Sequence, residues 1–98
     1  MANLKNIQTE VDAAYLYEKL AANEENKDVA GIFIQMGEIE KGHATAFLNK
    51  LNLPITQMPR PSFRARTLNT IGKIFGYDYV LGVLMDTEKT LAGSLLNS

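Results

Sequence analysis

Asp28-Val29-Ala30-Gly31-Ile32-Phe33-Ile34-Gln35-Met36-Gly37-Glu38-Ile39-Glu40-Lys41-Gly42-His43-Ala44-Thr45-Ala46-Phe47-Leu48-Asn49-Lys50-Leu51 is the stretch on which the reading of this chain turns. It holds no proline and no β-branched run, so it predicts one long helix over residues 28–51. At about 100° per residue, Val29, Ile32, Phe33, Met36, Phe47 and Leu51 fall within a face about 100° wide, the stripe by which a helix packs on a core. Glu40 and His43 fall inside the same stripe. Three residues apart, they are neighbours on the helix surface, and the pattern aims both at the apolar side. A buried carboxylate is costly unless a cation or strong donors compensate it, so this placement asks for a partner.

The preceding helix, expected over Leu4–Asn23, offers one. With Glu10 as the reference direction, Ala13, Ala14, Tyr17, Ala21 and Glu24 lie within about 60° of it on a helical wheel. A carboxylate thus sits among small side chains and a tyrosine, where another helix can approach closely. The polar stretch Asn23-Glu24-Glu25-Asn26-Lys27 breaks the two helices into a hairpin. If it closes with Glu10 opposite Glu40 and His43, two carboxylates and one imidazole converge. Oxygen-rich sites with some imidazole suit six-coordinate iron or manganese, whereas structural zinc takes sulfur or more histidines. Taken singly, each residue has an ordinary alternative. His43 could be a hydrogen-bonded core histidine, Glu10 an acid favoured by the dipole of a helix start, and Tyr17 simple packing. Met36, Phe33 and Phe47 read as core, and Lys41, Lys50 and Glu38 as a solvated face.

After residue 53 the chain changes character. Three prolines within residues 54–61 cannot continue a helix. Ser62 is a suitable N-cap for a helix over Phe63–Phe75, and Asp78 for another from Tyr79 onward after a break at Gly76. The expected organisation is a helical hairpin over 1–53, a proline-rich linker over 54–62 and C-terminal helices over 63–98 within the same domain.

Composition narrows the function classes. Residues 1–53 carry five Lys/Arg against eight Asp/Glu, a net −3, and residues 54–98 carry five against three, a net +2. Arg60, Arg64, Arg66 and Lys73 form the only basic cluster, without the repeated stacking aromatics of single-strand binders, so nucleic acid is not an expected partner. Absence of cysteine excludes disulfides, thiolate metal sites and thiol catalysis, and fits a cytoplasmic setting. No signal-peptide pattern opens the sequence, and the mostly apolar run 71–85 is interrupted by Lys73 and Asp78 and too short to span a bilayer of about 30 Å. Ninety-eight residues bury a modest share of their surface, about two-thirds, so self-association is expected.

Glu10, Tyr17 and Glu40-Lys41-Gly42-His43, followed by Ala44 and Phe47, resemble the ferritin-like superfamily, in particular its rubrerythrin-type and encapsulated-ferritin domains. The resemblance covers about residues 8–51, and the spacings of 30 from Glu10 to Glu40 and 33 to His43 are closest to the short encapsulated-ferritin-like members. In such bundles each half contributes a Glu and a Glu-x-x-His motif. The resemblance implies an all-α fold and a carboxylate-bridged di-iron site oxidising Fe(II), with manganese or another divalent ion as substitute. It makes Glu10 and Glu40 bridging or terminal ligands, His43 a terminal nitrogen ligand, and Tyr17 a neighbour that orients a carboxylate or supplies an electron. The family's further acidic positions fall nearest Thr9 and Asp12 and are not carried over; Glu24 is left outside the ligand set. Because His43 is the only histidine, one chain holds half a site. Two copies, as a homodimer or higher even-numbered homo-oligomer, would complete a four-helix bundle with the metal at their interface. Residues 75–88 also resemble the connection after the first half of a rubrerythrin-like iron-transporter fusion, in which case Glu88 would open a missing half. Residues 90–96 resemble the short tails by which cargo docks inside encapsulin shells, which would place the protein in such a compartment; the plain alternative is a frayed helix end. The competing function class is a non-catalytic module that binds a divalent ion or dimerises.

Overall fold

The computed structural model describes residues 4–86. Helix α1 spans Leu4–Asn23, α2 Lys27–Lys50 and α3 Phe63–Phe75, with a short 3-10 turn at Ile55–Gln57 between α2 and α3. Residues 78–86 are helical as well and form α4. Among the described residues there is no strand, and the chain is all-α. The bounds expected for α1 and α3 coincide with those observed, while α2 lies one residue earlier at each end than its sequence pattern predicts. Residues 88 and 90–96, singled out above, lie outside the described residues. No helix among the described residues is long and apolar enough to cross a membrane.

Local chemistry sets each break. After α1, Glu24 Oε1 accepts from Asn26 N at 3.1 Å, and Asn26 Oδ1 accepts from Asp28 N and Val29 N at 3.0 and 3.2 Å. Two polar side chains, Glu24 and Asn26, thus close the turn and cap α2. At its far end Asn52 takes a left-handed φ of 57°, with Asn52 N donating to Asn49 O and Leu53 N to Leu48 O. This double closure satisfies carbonyls that the helix end leaves open, and it brings Leu53 back against Leu48. Ser62 caps α3 as expected, its Oγ accepting from Ala65 N at 3.2 Å, and Gly76, at φ 103°, ends it.

Two apolar clusters hold the molecule. One joins Ala13, Leu16, Tyr17, Leu20 and Phe33 to Ala65, Val80 and Leu84 of the C-terminal helices. The other gathers Ile7, Ala44 and Leu48 with Val11, Phe47, Leu51, Leu53 and Met58. Helix α2 buries the stripe its apolar pattern suggests only in part: Phe33 is buried, and Val29, Met36, Phe47 and Leu51 pack half-buried at the cluster edges. Ile32 is 54% exposed. The buried line runs Phe33, Gly37, Glu40, Ala44, Leu48. It is turned by roughly 60° from the expected stripe at 100° per residue. Small residues are the cause. A Cβ at Gly37 would stand 3.5 Å from Tyr17 Cβ and 3.6 Å from the Ala14 carbonyl, so α1 lies close along the Gly37–Ala44 line.

Helix α3 is fixed to α1 by one acidic side chain. Asp12 Oδ1 accepts from Ser62 N at 2.8 Å and from Gln8 Nε2 at 2.8 Å, and Asp12 Oδ2 accepts from Ser62 Oγ at 2.6 Å. Gln8 Nε2 also donates to the Arg60 carbonyl at 2.8 Å. The start of α3 is thereby fastened to the flank of α1.

Candidate metal centre

Glu10 and Glu40 occupy the gap between the two apolar clusters. Glu10 comes between Ile7 and Ala13 on α1, and Glu40 between Gly37 and Ala44 on α2. Both are buried, at 8% and 7% exposure. The close approach of the helices described above is what sets them side by side. One turn beyond Glu40, His43 stands at the rim, its side chain 53% exposed. The expectation that His43 points into the apolar face is therefore corrected: the contact line follows Gly37 and Ala44, which leaves position 43 at its edge. Its Nδ1 nevertheless lies 3.4 Å from Glu10 Oε2 and 3.9 Å from Glu40 Oε2.

One donor atom from each of the three residues can be chosen so that all lie within 4.8 Å of one another. Around a first-row divalent ion with bonds of about 2.1 Å, donors stand roughly 3 Å apart when adjacent and 4.2 Å when opposite. Adjacent donors would have to draw together by up to roughly 1.8 Å to reach that geometry. Two carboxylates and one imidazole nitrogen could hold a divalent ion such as manganese, iron or zinc. The exposed edge at His43 leaves the remaining coordination positions accessible from outside the hairpin.

The other singled-out residues have separate roles. Tyr17 is fully buried, and its ring stacks on Phe33 at 6.4 Å between centroids with 28° between planes. The Tyr17 Cβ also lies beside Gly37, one helical turn from Glu40. Glu24 caps the hairpin turn, Thr9 Oγ donates to the Lys5 carbonyl at 3.0 Å, and Asp12 clamps α3. None of these three joins the cluster. The residue that sequence reasoning passed over is Gly37, which with the expected small residue Ala14 lets the helices approach; a glycine inside an otherwise strong helix pattern was its only signal. No protein-family model, curated protein or solved structure matches this chain.

Proposed function

We propose that the chain is one half of a ferroxidase of the ferritin-like kind, binding Fe(II) through Glu10, Glu40 and His43 at a site shared between two copies. The observation that carries this reading is the pair of buried carboxylates placed together between two apolar clusters, with an imidazole at their open edge. A second observation supports the sharing. Beside the half-site, Ile32, Met36, Ile39 and His43 recur every three to four residues along α2, and Ile32 and Ile39 are more than half exposed. Along this seam Met36 packs in part on the chain's own core, and Ile32 and Ile39 beside it are left open among the described residues. A twofold axis perpendicular to α2 near residues 40–43 would lay the seams of two copies antiparallel, Met36 facing Phe47 of the second copy, and bring two Glu/Glu-x-x-His sets together.

The reaction assigned is oxidation of two Fe(II) to two Fe(III), one electron from each ion. Dioxygen takes both electrons with two protons and leaves as hydrogen peroxide. Glu10 and Glu40 supply negative charge that favours the trivalent product, and His43 completes the nitrogen position. Oxygen-electrode measurement on adding Fe(II) tests this: fast, stoichiometric uptake is expected for the wild type and only the slow background for Glu40→Ala. Tight metal binding with background oxygen uptake in the wild type would replace the ferroxidase with a non-catalytic metal-binding module.

A further inference from the structure

We propose that the outer face of α3 docks into the α1–α2 groove of a further copy of this chain, a contact separate from the shared metal site. Helix α3 packs on its own hairpin through Ala65, Asn69 and Gly72. On the opposite side it presents Phe63 and Ile74, 78% and 67% exposed. Eleven residues separate them, so they lie on one line about 16 Å apart. Arg66 and Lys73 lie together along one side of that line, and residues 54–77 contain no acid.

The groove offers matching sockets. Two adjoining hollows of about 340 and 360 Å³ run along one side of the hairpin and share Ala14, Glu18 and Lys41. Phe33 and Ile34 line the first, Val11 and Met58 the second. From Val11 to Ala22 the groove is eleven residues of α1 long, again about 16 Å. Two apolar knobs thus span the same length as the groove, one towards the end lined by Val11 and Met58 and the other towards the end lined by Ala22 and Phe33. Exposed Glu18 on α1 and Glu38 on α2 edge the groove, Glu38 lying 3.7 Å from Lys41, so acids stand on both walls to meet the basic side of the ridge.

The chain cannot make this contact with itself, because the Asp12–Ser62 clamp turns the opposite face of α3 towards its own hairpin. The contact is heterologous, with ridge on one copy and groove on the next, and it propagates into a ring or an open chain. An anionic lipid surface would ask for a continuous apolar stripe between basic flanks. Thr67 and Thr70 interrupt this one, which favours a protein socket.

Sedimentation velocity of the full chain in chelator-containing buffer tests the contact without the metal site. Wild type is expected to associate beyond a dimer as concentration rises. Arg66→Glu with Lys73→Glu should weaken that association at least about tenfold, as should Glu18→Lys with Glu38→Lys. All four exchanges in one chain should restore it, since each reversed ridge then meets a reversed groove. These residues are exposed, and an unchanged helical circular dichroism spectrum confirms that each variant folds. His43→Ala should leave the association intact, so its loss in that variant would assign it to the shared metal seam. A wild type that never exceeds a dimer, failure of the fourfold exchange to restore association, or capture of the charge-sensitive α3 face by anionic vesicles in place of self-association would overturn the proposal.

Discussion

Glu40 and His43 differ in what their replacement does, because one is buried and the other stands at the rim. Glu40→Ala removes a charge from the interior and His43→Ala shortens an exposed side chain, yet both delete a donor from a set of three. Both variants are expected to stay helical, since the two apolar clusters that hold the hairpin contain neither residue. Both should lose the thermal shift that Mn(II) or anaerobic Fe(II) gives the wild type, roughly 2.7 kcal/mol at a hundredfold excess over the dissociation constant. Full metal occupancy in the double variant, read by elemental analysis, would remove these residues from the ligand set. Gly72→Ala tests packing in the same spirit. A Cβ there would stand 2.8 Å from the Tyr77 ring and 3.0 Å from Val80 Cγ2. That ring is held by its hydroxyl, which donates to buried Asn69 Oδ1 at 2.7 Å, so it cannot swing clear without breaking the bond. Overpacking of about 1–3 kcal/mol should outweigh the gain in helix propensity of about 1 kcal/mol, giving a lower melting temperature. At this scale the grouping of Glu40 with His43 was legible because their three-residue spacing is fixed by the helix itself. The exposure of His43 was not, because it depends on where α1 lies. Gly37 and Ala44 decide that, and an apolar stripe drawn from large side chains passes them by.

Helices announce their ends locally, which is why the prolines of 54–61, Ser62 and Gly76 gave the bounds of α3 directly. The way α3 is held had no such signal: Asp12 and Ser62 are fifty residues apart in sequence, and an aspartate on an amphipathic helix reads as a solvated residue until its partner is placed. Asp12→Ala removes the acceptor of three hydrogen bonds, two of them to Ser62. It should cost about 1–3 kcal/mol, with the loss concentrated in α3. Hydrogen exchange ought to show faster amides in 63–75 and unchanged protection in the middle of α1 and α2; uniform loosening would mean that the clamp supports the hairpin too. The α3–α4 corner also titrates. Partial burial, with the neighbouring Tyr15 phenol adding to it, holds the Tyr77 hydroxyl above the ordinary tyrosine value of 10.0. The folded state therefore keeps this proton where the unfolded chain releases it. Stability from this group is complete below the unfolded value and falls as pH rises through the folded one. Denaturant unfolding between about pH 9 and 11 should show a decline that is shallower in Tyr77→Phe, and equal slopes would assign the decline to other groups.

The whole molecule is expected to be incomplete as a monomer. One chain supplies two carboxylates and one imidazole, fewer donors than two six-coordinate ions require, and the exposed Ile32–Ile39 seam lies beside the open edge of the set. Iron or manganese should therefore bind at about one ion per chain and only in even-numbered oligomers. An ion that binds the assembled form alone stabilises it by mass action, so chelated protein should dissociate at higher concentration than loaded protein even where apolar contacts hold some dimer without metal. Replacing Ile39 with Lys, a charge in the middle of the seam, should separate the effects. It leaves Glu10, Glu40 and His43 in place but opposes the approach of the second copy, so metal affinity and dimerisation should fall together. Acid should act in the same direction, because the carboxylates must be ionised and the imidazole neutral to bind. Analytical ultracentrifugation of chelated and metal-loaded samples across a dilution series, with metal content measured on each species, checks all of this at once. A monomer that keeps its metal at the lowest concentration, or an Ile39→Lys monomer that binds as tightly as wild type, would show that three residues of one chain suffice, and the shared site would have to be abandoned.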